Sequence, residues 1–202
     1  MPQDNQPQDN QPQNARPVVV GLSGASGAVY GVELVRALGR LGVPAHLIIS
    51  PSGRRTIELE TGRDPREVEA LAARAYDPSD VAAAPASGSF LTRGMVVAPC
   101  SMRSLSAIAM SQADNLLTRA ADVHLKERRL LVLMVRETPL HKGHLELMLR
   151  AADLGAVILP PLPAFYHQPR SIADLVAQSV GKALDQLGLE HDLFPRWSGA
   201  AS

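Results

Sequence analysis

Four short segments carry residue types suited to binding an anion or moving a proton. The first is Gly21-Leu-Ser-Gly-Ala-Ser-Gly27, with three glycines at a spacing of three and Ser23 and Ser26 between them. Glycine leaves backbone N–H groups unshielded, and such a loop at a helix start can cradle a phosphate. A tight strand-to-helix turn that merely needs small residues accounts for the same composition. The loop matches neither the dinucleotide pattern Gly-x-Gly-x-x-Gly nor a Walker loop, since no Gly-Lys-Ser/Thr follows. The second segment is Pro99-Cys-Ser-Met-Arg-Ser104, another strand-to-helix turn, with two hydroxyls and an Arg. Its Cys100 has no His beside it in sequence and reads as a buried thiol rather than a nucleophile.

The third segment, 114–129, places Arg119, Asp122 and Lys126 at spacings of three and four, on one helix face. A solvated, ion-paired face is the plain explanation, yet Arg119 comes early in a helix whose start should face a ligand. The fourth is Val135-Arg-Glu-Thr-Pro-Leu140, where Arg136 and Glu137 follow an unbroken apolar run. Charges beside a buried strand are costly unless paired or functional. A proline-rich stretch with Phe165, Tyr166 and His167 comes later, then Lys182 and Phe194-Pro-Arg-Trp197. Ordinary packing, or cover for a subunit interface, accounts for Tyr166 and Trp197 equally well. The six histidines do not form a metal constellation: His141 and His144 are three apart without a completing acid or thiol, and His124 sits on a charged helix. No catalytic metal is expected.

The elements that must position these segments alternate along the chain. Apolar, β-branched runs at 18–22, 45–49, 95–98, 130–135 and 156–159 read as strands. Helical patterns follow at 29–41, 54–60, 105–110, 116–128, 144–154 and 172–187, with a short helix at 67–75 and a loop through 89. Alternation of this kind implies right-handed crossovers and a parallel sheet covered on both faces. The expected fold is a three-layer α/β domain, Rossmann-like or flavodoxin-like, with a mostly parallel sheet. In such a sheet, ligands sit beyond the carboxyl ends of the strands, where all four segments lie. One domain over 17–197 fits the length of 202 residues, with a Gln/Asn/Pro-rich repeat tail at 1–16 and a loose end at 198–202.

Twenty basic and twenty acidic residues cancel, which argues against a nucleic-acid partner. One cysteine excludes an internal disulfide, and no apolar run or signal-peptide pattern points to a membrane, so a soluble cytoplasmic protein is expected. Aromatics number only seven. Four of them (Phe165, Tyr166, Phe194 and Trp197) gather near the C-terminus, so the core must be aliphatic and the rings concentrated near a site.

Taken in order, Gly24-Ala-Ser-Gly-Ala28, Pro85-Ala-Ser-Gly-Ser89, Cys100-Ser-Met-Arg-Ser104, Arg119-Ala-Ala-Asp-Val123, Leu125-Lys-Glu-Arg-Arg129, Arg136-Glu-Thr-Pro139, Phe165-Tyr166 with Pro169, and Pro195-Arg-Trp197 resemble the UbiX-type flavin prenyltransferases. These belong to a flavoprotein superfamily that also holds flavin-dependent cysteine decarboxylases. The resemblance implies transfer of a dimethylallyl group, supplied as dimethylallyl phosphate, to N5 and C6 of reduced FMN. It implies no metal, a UbiD-type decarboxylase that receives the prenylated FMN, and a homo-oligomer, a dodecamer in relatives, with sites at subunit junctions.

Carried over by position, the resemblance implies that Gly24, Ala25, Ser26, Ser50, Ser101, Met102, Arg103, Ser104 and Arg119 bind FMN. Lys126, Tyr166 and Lys182 would hold the dimethylallyl phosphate, with Arg136 nearby and Trp197 walling the pocket. Glu137 would manage the N5 proton, Ser26 would relay it, and Glu60 would face positive charge developing on the adduct. Cations beside a leaving phosphate lower the cost of breaking its C–O bond, and an allylic cation needs a dry, π-rich pocket. Lys182 stands where some relatives carry Arg, which keeps the charge but loses the bidentate fork. Two rivals stand beside this reading. A cysteine decarboxylase would need a catalytic His and a Pro-x-Met-Asn-x-x-Met-Trp type motif, which this chain lacks. A non-catalytic FMN carrier would need no second phosphate site.

Overall fold

Strand residues alternate in the side they present, and here both sides are buried. Val18, Val20, Leu22, Leu47, Ile49, Val96, Ala98, Val132 and Met134 belong to one apolar cluster. Val19, Ile48, Met95, Val97, Leu131, Leu133 and Val135 belong to another. This period of two, apolar on both faces, is the pattern of a parallel sheet sandwiched between helices.

The computed structural model describes residues 16–197 and Gly199. The expected tail, Arg16 apart, and the expected loose end, Gly199 apart, lie outside the described residues. The strands are β1 (Val18–Leu22), β2 (Ala45–Ile49), β3 (Arg74–Tyr76), β4 (Gly94–Cys100), β5 (Leu131–Val135) and β6 (Val157–Ile158). The helices are α1 (Ala28–Arg40), α2 (Pro51–Thr61), α3 (Pro65–Glu69), α4 (Met102–Ala109), α5 (Leu116–Lys126), α6 (Lys142–Asp153) and α7 (Ile172–Gln186). The six strands are all parallel, in the order β3-β2-β1-β4-β5-β6. Helices α1, α2, α3 and α7 supply the first cluster, and α4, α5 and α6 the second. The expected three-layer α/β fold is the one observed.

The expected helix at 67–75 is corrected. Helix α3 stops at Glu69, and 74–76 form the edge strand β3, paired with β2. Arg74 and Ala75 are exposed on that edge, so no apolar alternation marks the strand in sequence. Helix α2 begins earlier than expected, because Ser50 caps it by accepting from the Gly53 amide at 3.0 Å and Pro51 fills its first position. Likewise α4 starts at Met102, where Ser101 accepts from the Ser104 amide.

His124 lies on the charged helix α5 as expected, but on its inward face. It is buried, with Nδ1 2.7 Å from the Ala120 carbonyl and Nε2 2.8 Å from the Thr92 hydroxyl. Nδ1 therefore carries the proton and Nε2 accepts. Burial pushes the imidazole down to about 4; the Ala120 hydrogen bond opposes this and the Arg129 charge adds to it. The unfolded chain takes up this proton near its ordinary value of 6.5, the folded chain only near 4. Stability should thus fall as pH drops between those values, by about 3 kcal/mol in all, and level off below. Urea unfolding across that window should show the loss in the parent protein and a shallower slope in His124→Gln. Parallel profiles would remove His124 as the cause.

Candidate active site

The strand order reverses between β1 and β4: the chain leaves β1 toward β2 on one side and reaches β4 on the other. Beyond the carboxyl ends of these two strands the loops diverge and leave a crevice, the usual ligand position in an open α/β sheet. The sheet ladder continues past the strand ends and stiffens these loops. Ser23 donates its amide to the Pro99 carbonyl at 3.2 Å, Ser50 to Leu22 at 2.9 Å and Arg136 to Cys100 at 3.0 Å. The buried Ser23 hydroxyl donates to the Pro99 carbonyl at 2.8 Å and accepts from the Ser101 amide at 2.7 Å, tying the two central loops together.

A cleft of about 700 Å³ opens there, lined by Ser50, Ser52, Ser101, Arg103, Ser104 and Thr118 among others. That volume lies within the ordinary range for a cofactor site. Three helices start on it. Ser50, Ser101 and Asn115 cap α2, α4 and α5, each satisfying one amide of its first turn. The remaining first-turn N–H groups and the positive ends of three helix dipoles face an anion placed in the cleft. Arg103 adds a full charge at the rim. Gly24 closes the approach, since a Cβ there would lie 2.5 Å from the Ser52 hydroxyl oxygen.

Of the residues expected to bind flavin, Ser50, Ser101, Arg103 and Ser104 line this cleft, and Gly24 abuts it through Ser52. Met102 lies at the start of α4 but packs into the second apolar cluster. Ala25 and Ser26 lie on the loop into α1. Sequence reasoning missed Ser52, Gln112, Asp114 and Thr118 as cleft residues. The Asp114-Asn115 helix start was legible as an element boundary, but nothing local says that it meets Ser50.

Glu60 reaches from α2 to the start of α1, where its Oε2 accepts from the Gly27 and Ala28 amides at 2.8 and 2.9 Å. Partial burial acts to raise its pKa. Hydrogen bonds from Ser26, Ala28 and Gly27, with the Arg136 charge, outweigh it and hold the carboxyl below the usual range. Ser26, Glu60 and Arg136 thus form one cluster above the β1 loop. Arg136 and Glu137 do not pair with one another as their adjacency suggested. Glu137 is exposed, its Oε1 accepting from the Thr138 amide at 3.0 Å, while Arg136 acts on Glu60 and Tyr30.

Arg119 and Lys126 turn elsewhere. Arg119 donates to the Ala86 carbonyl at 3.2 Å and pairs with Asp122 at 2.9 Å. Lys126, roughly 10 Å further along α5, pairs with Glu127 beside Gly88. Neither lines the cleft of its own chain. Lys182 lines a small separate pocket with Met134 and the 159–162 loop. Tyr166 meets Trp197 edge to face, their rings 6.2 Å apart. Cys100 is buried and its thiol is pushed up to about 12 by that burial, so it is no nucleophile. Among the described residues no group of three or more His, Cys, Asp and Glu is placed to hold a metal ion. No described helix is long and apolar enough to cross a membrane.

The Flavoprotein family profile matches residues 6–182. The flavin prenyltransferase UbiX of Thauera aromatica is 57% identical over 182 residues, 90% of this chain and 94% of that protein. The chain belongs to the UbiX flavin prenyltransferases of the flavoprotein family. Its fold matches a crystal structure of AnUbiX (PadA1) in complex with FMN and dimethylallyl pyrophosphate, with a TM-score of 0.91 and 48% identity over 93% of this chain and all of that one. A dodecameric FMN-dependent UbiX-like decarboxylase from Escherichia coli O157:H7 matches with a TM-score of 0.88 and 48% identity, covering 91% of this chain and all of that one. Family membership accords with the cleft, a polar crevice on which three helix starts converge.

Proposed function

We propose that the protein joins the dimethylallyl group of dimethylallyl phosphate to N5 and C6 of reduced FMN, making prenylated FMN. The observation that carries this is the convergence of three helix N-termini on one polar cleft at the switch point, in a chain of this family. The reduced flavin supplies the nucleophilic N5 and C6 positions. The chain's residues do the rest. Ser50, Ser101 and Ser104, with the α2, α4 and α5 amides and Arg103, hold the flavin phosphate; Gly24, Ala25, Met102 and Arg119 shape the rest of the flavin site. Lys182, Tyr166, Arg136 and Lys126 receive the donor phosphate, which departs as the allylic C–O bond breaks. Trp197 walls the prenyl pocket and excludes water. Glu137 accepts the N5 proton, with Ser26 as relay. Glu60, kept ionised by the α1 amides, faces positive charge as it develops.

In this reading the site is completed by a second copy of the chain. Arg119 and Lys126 point along the 84–90 loop, away from their own cleft, and Phe165, Leu162 and Trp197 leave apolar surface exposed. A homo-oligomer that sets α5 of one copy against the cleft of another satisfies both, and the relative from Escherichia coli O157:H7 is a dodecamer. The prenylated flavin passes to a UbiD-type decarboxylase, and the protein works in the cytoplasm. The test is anaerobic incubation of purified protein with reduced FMN and dimethylallyl phosphate, then mass spectrometry of the extracted flavin. A flavin heavier by one prenyl unit is expected. Unmodified FMN alone, from folded protein, would sink the transferase reading and leave a carrier; oxidative decarboxylation of a C-terminal cysteine peptide would favour the decarboxylase.

A further inference from the structure

Helix α7 carries Lys182, and the chain then doubles back so that 189–197 lies against the same helix. Gly181 makes this possible: a Cβ there would lie 2.5 Å from the Phe194 ring and 2.7 Å from the His191 ring. Phe194 is buried in this notch, with the His191 ring 5.4 Å away and the Arg196 guanidinium 5.5 Å over its face. Next to the notch, Asp185 gathers three donors. Its Oδ2 takes Lys182 Nζ at 3.3 Å; its Oδ1 takes Arg196 at 2.8 Å and His191 Nε2 at 3.2 Å. His191 Nδ1 accepts from the Leu193 amide and Nε2 also faces the Gly181 carbonyl at 2.9 Å, which assigns the proton to Nε2. Partial burial tends to raise the Asp185 pKa, but Arg196 and Lys182 hold it below the usual range.

We infer that Asp185 is a positioning residue for the donor site: it clips the C-terminal segment to α7 through Arg196 and His191, setting Trp197 against Tyr166, and aims the Lys182 ammonium. Two charges meet one carboxylate, so Lys182 can turn to an incoming phosphate while Arg196 keeps Asp185 paired. This removes the cost of leaving a half-buried carboxylate alone when substrate binds. The residue after Arg196 is Trp197, so loss of the clip frees the ring that walls the prenyl pocket. The inference rests on the donor-site roles of Lys182, Tyr166 and Trp197 proposed above.

Trp197 is the only tryptophan of the chain, so its fluorescence reads the clip without any turnover. Asp185→Asn should raise acrylamide quenching of Trp197 and lower its anisotropy. It should raise KM for dimethylallyl phosphate about tenfold, the scale of one charge-assisted hydrogen bond, with kcat changed far less. Asp185→Glu should recover most of both signals. Arg196 is largely exposed, so Arg196→Gln tests the same clip in a variant whose core is untouched. If Asp185→Asn does not fold, Arg196→Gln must by itself loosen Trp197 and raise KM. Wild-type quenching in either folded variant would overturn the inference, as would a loosened Trp197 with unchanged KM. If the parent protein makes no prenylated flavin, the activity reading fails, whereas the quenching result still decides whether the clip exists.

Discussion

Replacing Glu137 by Gln should leave FMN binding intact and slow formation of prenylated FMN by about 10²–10⁴-fold, the usual contribution of a positioned proton acceptor. Two carboxylates are candidates for that role, and their surroundings separate them. Glu60 spends Oε2 on two backbone amides and is held ionised by them. It is a poor acceptor but a steady negative charge. Glu137 is engaged through a single oxygen, by the Thr138 amide, which leaves the other free. A Gln side chain keeps that hydrogen bond through its carbonyl and keeps the volume, but cannot take a proton. Anaerobic single-turnover kinetics, with FMN affinity measured in parallel, check the expectation. Turnover within a few-fold of the parent would remove Glu137 from the chemistry.

Gly31→Ala should lower stability by about 3 kcal/mol and Tm by roughly 6–12 °C, the range for overfilling a packed interior of this size. Gly31 lets α1 lie directly on the carboxyl ends of β1 and β4. A Cβ there would overlap the Ala98 carbonyl oxygen and come within 2.6 Å of Leu22 Cγ. Both neighbours are fully buried, and Ala98 belongs to a strand paired on both sides, so neither can yield cheaply. Displacing α1 also shifts the Gly27 and Ala28 amides that hold Glu60, so FMN affinity should fall together with Tm. Gly39 in the same helix is the control: nothing lies within 4 Å of its added Cβ. Gly39→Ala should stabilise by about 0.5–1 kcal/mol through helix propensity. Equal melting temperatures for the two variants, by calorimetry, would refute the close-packing account.

The aliphatic runs at β1, β4 and β5 were legible because each is buried on both faces and therefore apolar at every position. Strand β3 was not, because an edge strand with two exposed residues out of three has no reason to be apolar. Similarly, Ser50 was readable as a strand end, while its role as cap and cleft wall depended on α2 beginning at Pro51. Lys126 was readable as a cation on a helix face. That it lies beside Gly88 and Glu127, away from its own cleft, follows from how the 84–90 loop packs on α5.

By itself the sequence determined the layers, through apolar periodicity, and the chemistry of the loops, through glycines, hydroxyls and charges at strand ends. Those signals are local: they depend on what a residue's own element must bury or expose. Only the tertiary structure decided which loops meet. The order β3-β2-β1-β4-β5-β6 brings Ser50, Ser101 and Asn115 to one crevice, and chain reversal at 188–191 brings Arg196 back to Asp185. Apolar strands are nearly interchangeable as neighbours, so their order is set by many long-range contacts together. The cleft exists because that order reverses between β1 and β4, and no short stretch of residues encodes it.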